Sequence, residues 1–293
     1  MATMFGGLPG TISPDMNVGR ARRHTTASRA SARRGVMLDD LIQGEIIPRL
    51  LVAHPAPAAP NSANGAVRIA PDEVKAFAPL PLSLEADELL RHVEQFLARG
   101  VSVESIFVDL LAPSARKLGQ FWEDDACDFI DVTMGLWRLQ EVMREVAMRV
   151  PAVTQALSEP RSALFSPLPG EQHSFGALMI EEVFARAGWN SEALIEPRRK
   201  DLLRTVAERN FDLVGLTVTN DCLSGALSDL ITAIRGVSKN SAIQVFIGGR
   251  VVNANPGLAS EVGADGTAPD ARSALALAER KVPGSRLLDL AAL

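Results

Sequence analysis

From Pro160 onward the chain alternates short apolar runs with amphipathic ones, and this alternation restricts the fold more than any other feature. The apolar runs fall at 163–166, 191–195, 213–218, 243–247 and 266–268. Helical spacing fills the stretches near 174–187, 199–209, 222–236, 256–262 and 270–281. Strands that are apolar on both faces need cover on both faces, and a helix between successive strands makes the sheet parallel. Five strands in about 120 residues predict an α/β domain over 160–283 with a flavodoxin-like, doubly wound, five-stranded parallel sheet. Such sheets bind ligands outside the carboxyl ends of their strands, at the switch point.

The pattern before Pro160 is helical. A helix is expected at 84–98, with Leu89, Leu90, Val93, Phe96 and Leu97 inward and Gly100 as its stop. A second starts near Val103 behind Ser102 as N-cap, kinks at Pro113 and ends at Trp122. A third covers 127–150, with Phe129, Val132, Leu136, Met143 and Ala147 at helical spacing. An amphipathic stretch at 38–54 makes a fourth, kinked at Pro48, and residues 55–82 read as a Pro- and Ala-rich linker. One amphipathic helix cannot bury its stripe alone, so 37–155 reads as an all-α helical bundle that precedes the sheet domain as a cap. Residues 284–293 are left as a tail.

Residues 1–36 read as a disordered extension. Within them, 19–35 hold six arginines and no acid, so the net charge of −5 divides into +6 there and −11 elsewhere. This arm suits contact with DNA or an acidic partner, resembles an organelle transit peptide in composition, or is a solvated tail. No apolar run reaches the length of a membrane span. Two cysteines, Cys127 and Cys222, form no disulfide framework and read as small buried hydrophobes, which fits a cytoplasmic protein. Trp137 and Trp189 read as core residues.

The loop after the first strand carries the chemistry: Glu171-Gln-His173-Ser-Phe-Gly176. It sets a carboxylate, an imidazole and a glycine at the switch-point edge. A neutral imidazole is a good nitrogen ligand for a transition metal. Its second ring nitrogen needs an acceptor, and Glu171 brings a carboxylate two residues away. The third run ends in Thr217-Val-Thr219, and the fourth in Gly248-Gly249, at the same edge. The hydroxyls can bond polar ligand atoms, and the glycines leave room. Each feature also has a plainer reading. A histidine at a strand end is ordinarily a surface residue, threonine suits strands, and Gly-Gly is a common turn.

Together these residues resemble the three ordered motifs of cobalamin-binding domains. Glu171-x-His173-x-x-Gly176 is similar to Asp-x-His-x-x-Gly, with Glu for Asp. Thr217-x-Thr219 stands where that family has Ser-x-Leu, Gly248-Gly249 stands where it has its Gly-Gly pair, and 263–271 resembles its last strand and helix start. The resemblance implies that His173 is the lower axial ligand of cobalt, replacing the cofactor's own base. The displaced nucleotide tail then enters a slot lined by Gly176, Thr217, Thr219, Gly248 and Gly249. Residues 111–122 resemble the helix that precedes this domain in methionine synthase relatives and B12-dependent regulators, which implies that Trp122 lies over the corrin ring or its upper ligand; the plainer reading is a core aromatic at a helix end. Where the photoreceptor regulators carry a Glu-His pair, this chain has Val132-Thr133, so it lacks that upper ligand.

A cobalamin domain behind a basic extension is similar to the AerR/PpaA regulators of photosynthetic bacteria. The resemblance implies a non-enzymatic antirepressor that binds hydroxo- or adenosylcobalamin. It further implies a partner transcription factor of the PpsR/CrtJ type, control of photosynthesis genes, and a light response through the cobalt–alkyl bond. Three alternatives stay open: a corrinoid methyl-carrier of a methyltransferase system, a haem sensor on the same fold, and a receiver-like scaffold without a ligand.

Overall fold

A computed structural model describes residues 67–152, 160–220 and 224–282. The basic extension, the helix expected at 38–54, Cys222 and the tail lie outside the described residues. The helical layer and the sheet belong to one compact unit that begins at Gly65.

The segment read as a linker is helical from Pro71. Helix α1 (Pro71–Phe77) has Pro at its first position and Asp72 and Glu73 in its first turn, and the Glu73 carboxylate accepts the Ala70 N–H at 2.8 Å. Its Phe77 is buried and anchors the segment, and a 3₁₀ turn (Leu80–Leu82) follows. Pro and Ala richness therefore concealed a capped helix with an apolar anchor. Helix α2 (Ala86–Ala98) ends where Gly100 takes a φ of 89°, as a glycine stop requires. Ser102 Oγ accepts the Ser105 N–H at 3.1 Å and caps α3 (Val103–Ser105). The expected break at Pro113 takes the form of a π-helical segment, Ile106–Leu111, that runs into α4 (Ala112–Glu123). Ala112 N–H donates to Phe107 O, a bond one residue longer than the α-helical one. The wider turn lies just before a residue that has no N–H and crowds the carbonyl four back.

Helix α5 (Phe129–Arg149) starts behind Asp128, whose carboxylate accepts the Asp131 N–H at 2.8 Å. Its inward face is Val132, Gly135, Leu139, Val142, Met143 and Val146. Phe129, expected inward, is 67% exposed because it sits at the first helical position, past the end of the bundle core. Trp137, expected in the core, is 51% exposed on the outer arc of the same helix. Cys127 is half-buried rather than buried; partial desolvation, then the Asp131 and Asp128 carboxylates, raise its thiol.

The sheet follows its expected topology. Strands β1 (Ser162–Pro167), β2 (Asn190–Ala193), β3 (Leu213–Thr217), β4 (Gln244–Gly248) and β5 (Gly266–Thr267) are all parallel, in the order β2-β1-β3-β4-β5. Between them run α6 (Phe175–Arg186), α7 (Arg199–Glu208), α8 (Ser224–Val237) and two short helices, α9 (Arg250–Ala254) and α10 (Leu258–Glu261), and α11 (Ala271–Lys281) follows β5. Alternate strand residues feed two cores. Leu164, Val214, Val245 and Ile247 pack against α7 and α8, whereas Ala163, Phe165, Leu213 and Phe246 pack against α6 and α11. Trp189 is buried in the second core, stacked edge-on to Phe184. Gly215 seats the Phe165 ring, since a Cβ there would lie 2.5 Å from it. The helical layer packs on the sheet domain through α6, whose Met179 is buried in the helical core. No described helix is long and apolar enough to cross a membrane.

Candidate functional site

Parallel register aligns three strand ends. Pro167 pairs with Thr217, and Thr217 with Gly248, so the ends of β1, β3 and β4 form one row at the carboxyl edge. The row lies at the reversal of strand order between β1 and β3, where a parallel sheet opens a crevice.

The β1–α6 loop begins with a tight turn. Glu171 N–H donates to Leu168 O at 2.9 Å, Pro169 holds the second turn position, and Gly170 takes a φ of 94° at the third. That is the residue pattern of a type II turn. His173 follows, exposed at the edge, and among the described residues its ring has no hydrogen-bond partner. Glu171, by contrast, is 8% exposed and does not reach back to His173. Its carboxylate accepts the Thr219 N–H at 3.1 and 3.2 Å and the Asn220 N–H at 3.1 Å. The carboxylate offered by the sequence as the histidine's partner thus caps the segment after β3.

Thr217 supplies the most telling atom. Its Oγ1 is buried at the strand end with no hydrogen-bond partner among the described residues. Such a hydroxyl costs free energy, of order 1–3 kcal/mol, unless a ligand completes it. Gly176, in the first turn of α6, faces it: a Cβ there would lie 3.7 Å from Thr217 Cγ2. A larger side chain would close the gap between helix and strand.

The two glycines after β4 differ. A Cβ on Gly249 would lie 2.6 Å from Val218 O and 2.9 Å from Val218 N, and its φ is 103°. Fold alone therefore demands glycine there. A Cβ on Gly248 meets only Ala268 O, at 3.7 Å, so protein packing alone tolerates a methyl group. Thr219 is half-buried and enters the site's framework through its N–H, the donor to Glu171.

Trp122 stands at the end of α4, 51% exposed, with the Phe129 ring edge-on at 6.4 Å. Its neighbour Glu123 lies 3.4 Å from Arg250, the residue after Gly249, which brings this helix end to the carboxyl edge of β4. A second set of ion pairs joins the layers after β5. Arg272, in the first turn of α11, binds Asp109 of the π-helical segment at 3.0 and 3.1 Å and also pairs with Glu104. Asp109 first, and Glu104 after it, hold the guanidinium pKa above its ordinary value. Sequence reasoning missed Arg250, Arg272 and Asn220. Partners 127 and 163 residues apart leave no local signature, and a backbone N–H leaves none at all.

Residues 161–276 match the family model of the B12 binding domain. The sheet domain is a B12 binding domain. An uncharacterized 20.5 kDa protein in the bchF-crtJ intergenic region of Rhodobacter capsulatus is 28% identical over 172 residues, covering 59% of this chain and 89% of the relative. The monomethylamine corrinoid protein of Methanosarcina barkeri superposes with a TM-score of 0.58 at 17% identity, over 72% of this chain and 99% of its own. That likeness is one of fold: a parallel sheet with an N-terminal helical layer. The residues of this B12 binding domain fit a cobalamin. They provide an exposed imidazole at the switch point, a buried hydroxyl awaiting a donor or acceptor, and two positions, Gly176 and Gly248, where space is left free.

Proposed function

We propose that this chain is a non-enzymatic, cytoplasmic cobalamin-binding regulator of antirepressor type, acting on a transcription factor of the PpsR/CrtJ kind. The observation that carries the reading is the conjunction of a B12 binding domain with a relative from the bchF-crtJ region. Bound hydroxo- or adenosylcobalamin supplies a cobalt centre whose upper ligand can be exchanged. His173 would hold the metal through its imidazole. Thr217 Oγ1 would find its missing hydrogen bond on the nucleotide tail, with Gly176 and Gly248 leaving it space. Trp122, exposed at the end of α4, would pack on the corrin, and Val132-Thr133 would offer no metal ligand where the photoreceptor regulators carry Glu-His. Cobalamin then favours one setting of the helical layer against the sheet, because a ligand shifts an equilibrium only through tighter binding to one state. The partner reads that setting, and the arginine arm at 19–35 adds affinity for it or for DNA.

A corrinoid methyl-carrier would share the fold, as the likeness to the monomethylamine corrinoid protein illustrates. The test separates the readings. Purified protein reconstituted with hydroxo- or adenosylcobalamin, in dark and light, is added to a CrtJ-type repressor bound to its operator. Cobalamin-dependent release of the operator is expected. Methyl transfer after reduction to Co(I), without any effect on the repressor, would favour the carrier. An intense Soret band after growth with haem would favour a haem sensor.

A further inference from the structure

We propose that Glu171 is a positioning residue that latches the segment after β3, and not the second-nitrogen partner of His173. The inference rests on the cobalamin reading only for what the latched segment serves. Three observations carry the latch itself. The carboxylate is buried, and three contacts from two consecutive backbone N–H groups, Thr219 and Asn220, take up most of its acceptor capacity. The Leu168–Glu171 turn, shaped by Pro169 and by Gly170 in the left-handed region, aims it there. One step closer to the sheet, Leu168 N–H donates to Thr217 O at 3.0 Å. The two segments that flank the switch point are thus stitched twice, first by backbone and then by a charge-assisted bond.

This geometry gives a physical reason for glutamate at a position where the resembling family has aspartate. The donors lie on a neighbouring segment, not on the following residues. Aspartate is shorter by one methylene, about 1.5 Å, and would leave both N–H groups beyond hydrogen-bond reach. The latch fixes Val218 and Thr219 and therefore steadies Thr217, whose Oγ1 is the orphaned atom of the site.

The experiment is amide hydrogen exchange by NMR on the full chain without cobalamin, for wild type, Glu171→Ala, Glu171→Asp and Glu171→Gln. Exchange at Thr219 and Asn220 should accelerate by about tenfold or more in the alanine and aspartate variants, while Val214 and Val245 in the strands keep their protection. Glutamine retains one acceptor oxygen and should restore part of the effect. It also serves if the alanine variant fails to fold. Unchanged exchange at both amides overturns the latch. Addition of hydroxocobalamin gives a second readout. Glu171→Gln should bind about tenfold more weakly yet show the wild-type spectrum once saturated. Wild-type affinity with an altered spectrum overturns the proposal, because it puts the carboxylate on the metal-bound imidazole. If wild type takes up no hydroxocobalamin, the functional reading falls, and the exchange result still decides the latch.

Discussion

At the carboxyl edge of the sheet, Pro167, Thr217 and Gly248 are set in a row by strand register, and Gly249 meets the Val218 backbone too closely to carry a side chain. In the helical layer, Trp122, Phe129, Ile130 and Trp137 are each more than half exposed. The end of α4 meets the sheet edge there through the exposed Glu123–Arg250 pair. The first region is pre-organised by contacts whose geometry cannot shift without breaking the sheet. The second is joined by an apolar seam at Phe175, Leu178 and Met179, by Arg186, which lies over the Phe107 ring and donates to Val150 O, and by ion pairs of the kind that contribute little each in water. A rigid edge suits a metal ligand and a tail slot. A helix end with its aromatic rings uncovered suits a part that meets a ligand.

The sheet edge should respond most strongly to substitution. His173→Ala should weaken hydroxocobalamin binding by about 100-fold, measured by equilibrium dialysis, with no change in thermal stability. A wild-type affinity would remove the imidazole from the site. Gly249→Ala should cost about 3 kcal/mol in urea unfolding, combining the left-handed φ with the 2.6 Å approach to Val218 O. Gly248→Ala should leave urea unfolding nearly unchanged and act only on cofactor affinity. Equal destabilisation by the two substitutions would erase the distinction between them.

The layer junction should respond more mildly. Arg272→Ala is expected to cost about 0.5–1 kcal/mol, because its side chain is 45% exposed and solvent screens the pairs with Asp109 and Glu104. The loss should shrink in high salt. A larger, salt-independent loss would mean that the junction is not held mainly by charge.

The smallest effect lies at Glu181 on α6. Burial first, and the Glu182 and Glu192 charges after it, raise its carboxyl, while the Ser191 hydroxyl opposes them. A carboxyl raised in the folded state contributes stability below its ordinary value of 4.5 and loses that contribution as pH rises through the raised value. Glu181→Gln should therefore stabilise by about half a kcal/mol near neutral pH and by nothing in acid below that value. A pH-independent difference would contradict this.

The sheet was legible because continuous apolar runs, helical intervals and the His173 loop are all local patterns, and parallel topology followed from them. The helical layer was less so. Pro71 and the acidic first turn of α1 announced a helix that the surrounding Pro and Ala richness hid, Phe129 fitted an inward stripe by spacing alone, and Trp137 was read as core from its residue type. Apolar spacing cannot tell a core face from one that awaits a ligand. At the site, residue types pointed to His173 and Thr217, but the use of Glu171 depends on backbone donors from a segment 48 residues away, which no sequence pattern encodes.

The proposed function depends on His173 as a cobalt ligand at the switch point of this sheet. Its most direct test is electron paramagnetic resonance of the Co(II) form of the reconstituted chain, prepared with natural-abundance and with ¹⁵N-labelled histidine. The nitrogen splitting on the cobalt lines should change with the label in the wild type, and that dependence on the label should be absent in His173→Ala. Splitting that is indifferent to the histidine label would show the cofactor's own base still on the metal and would contradict the account.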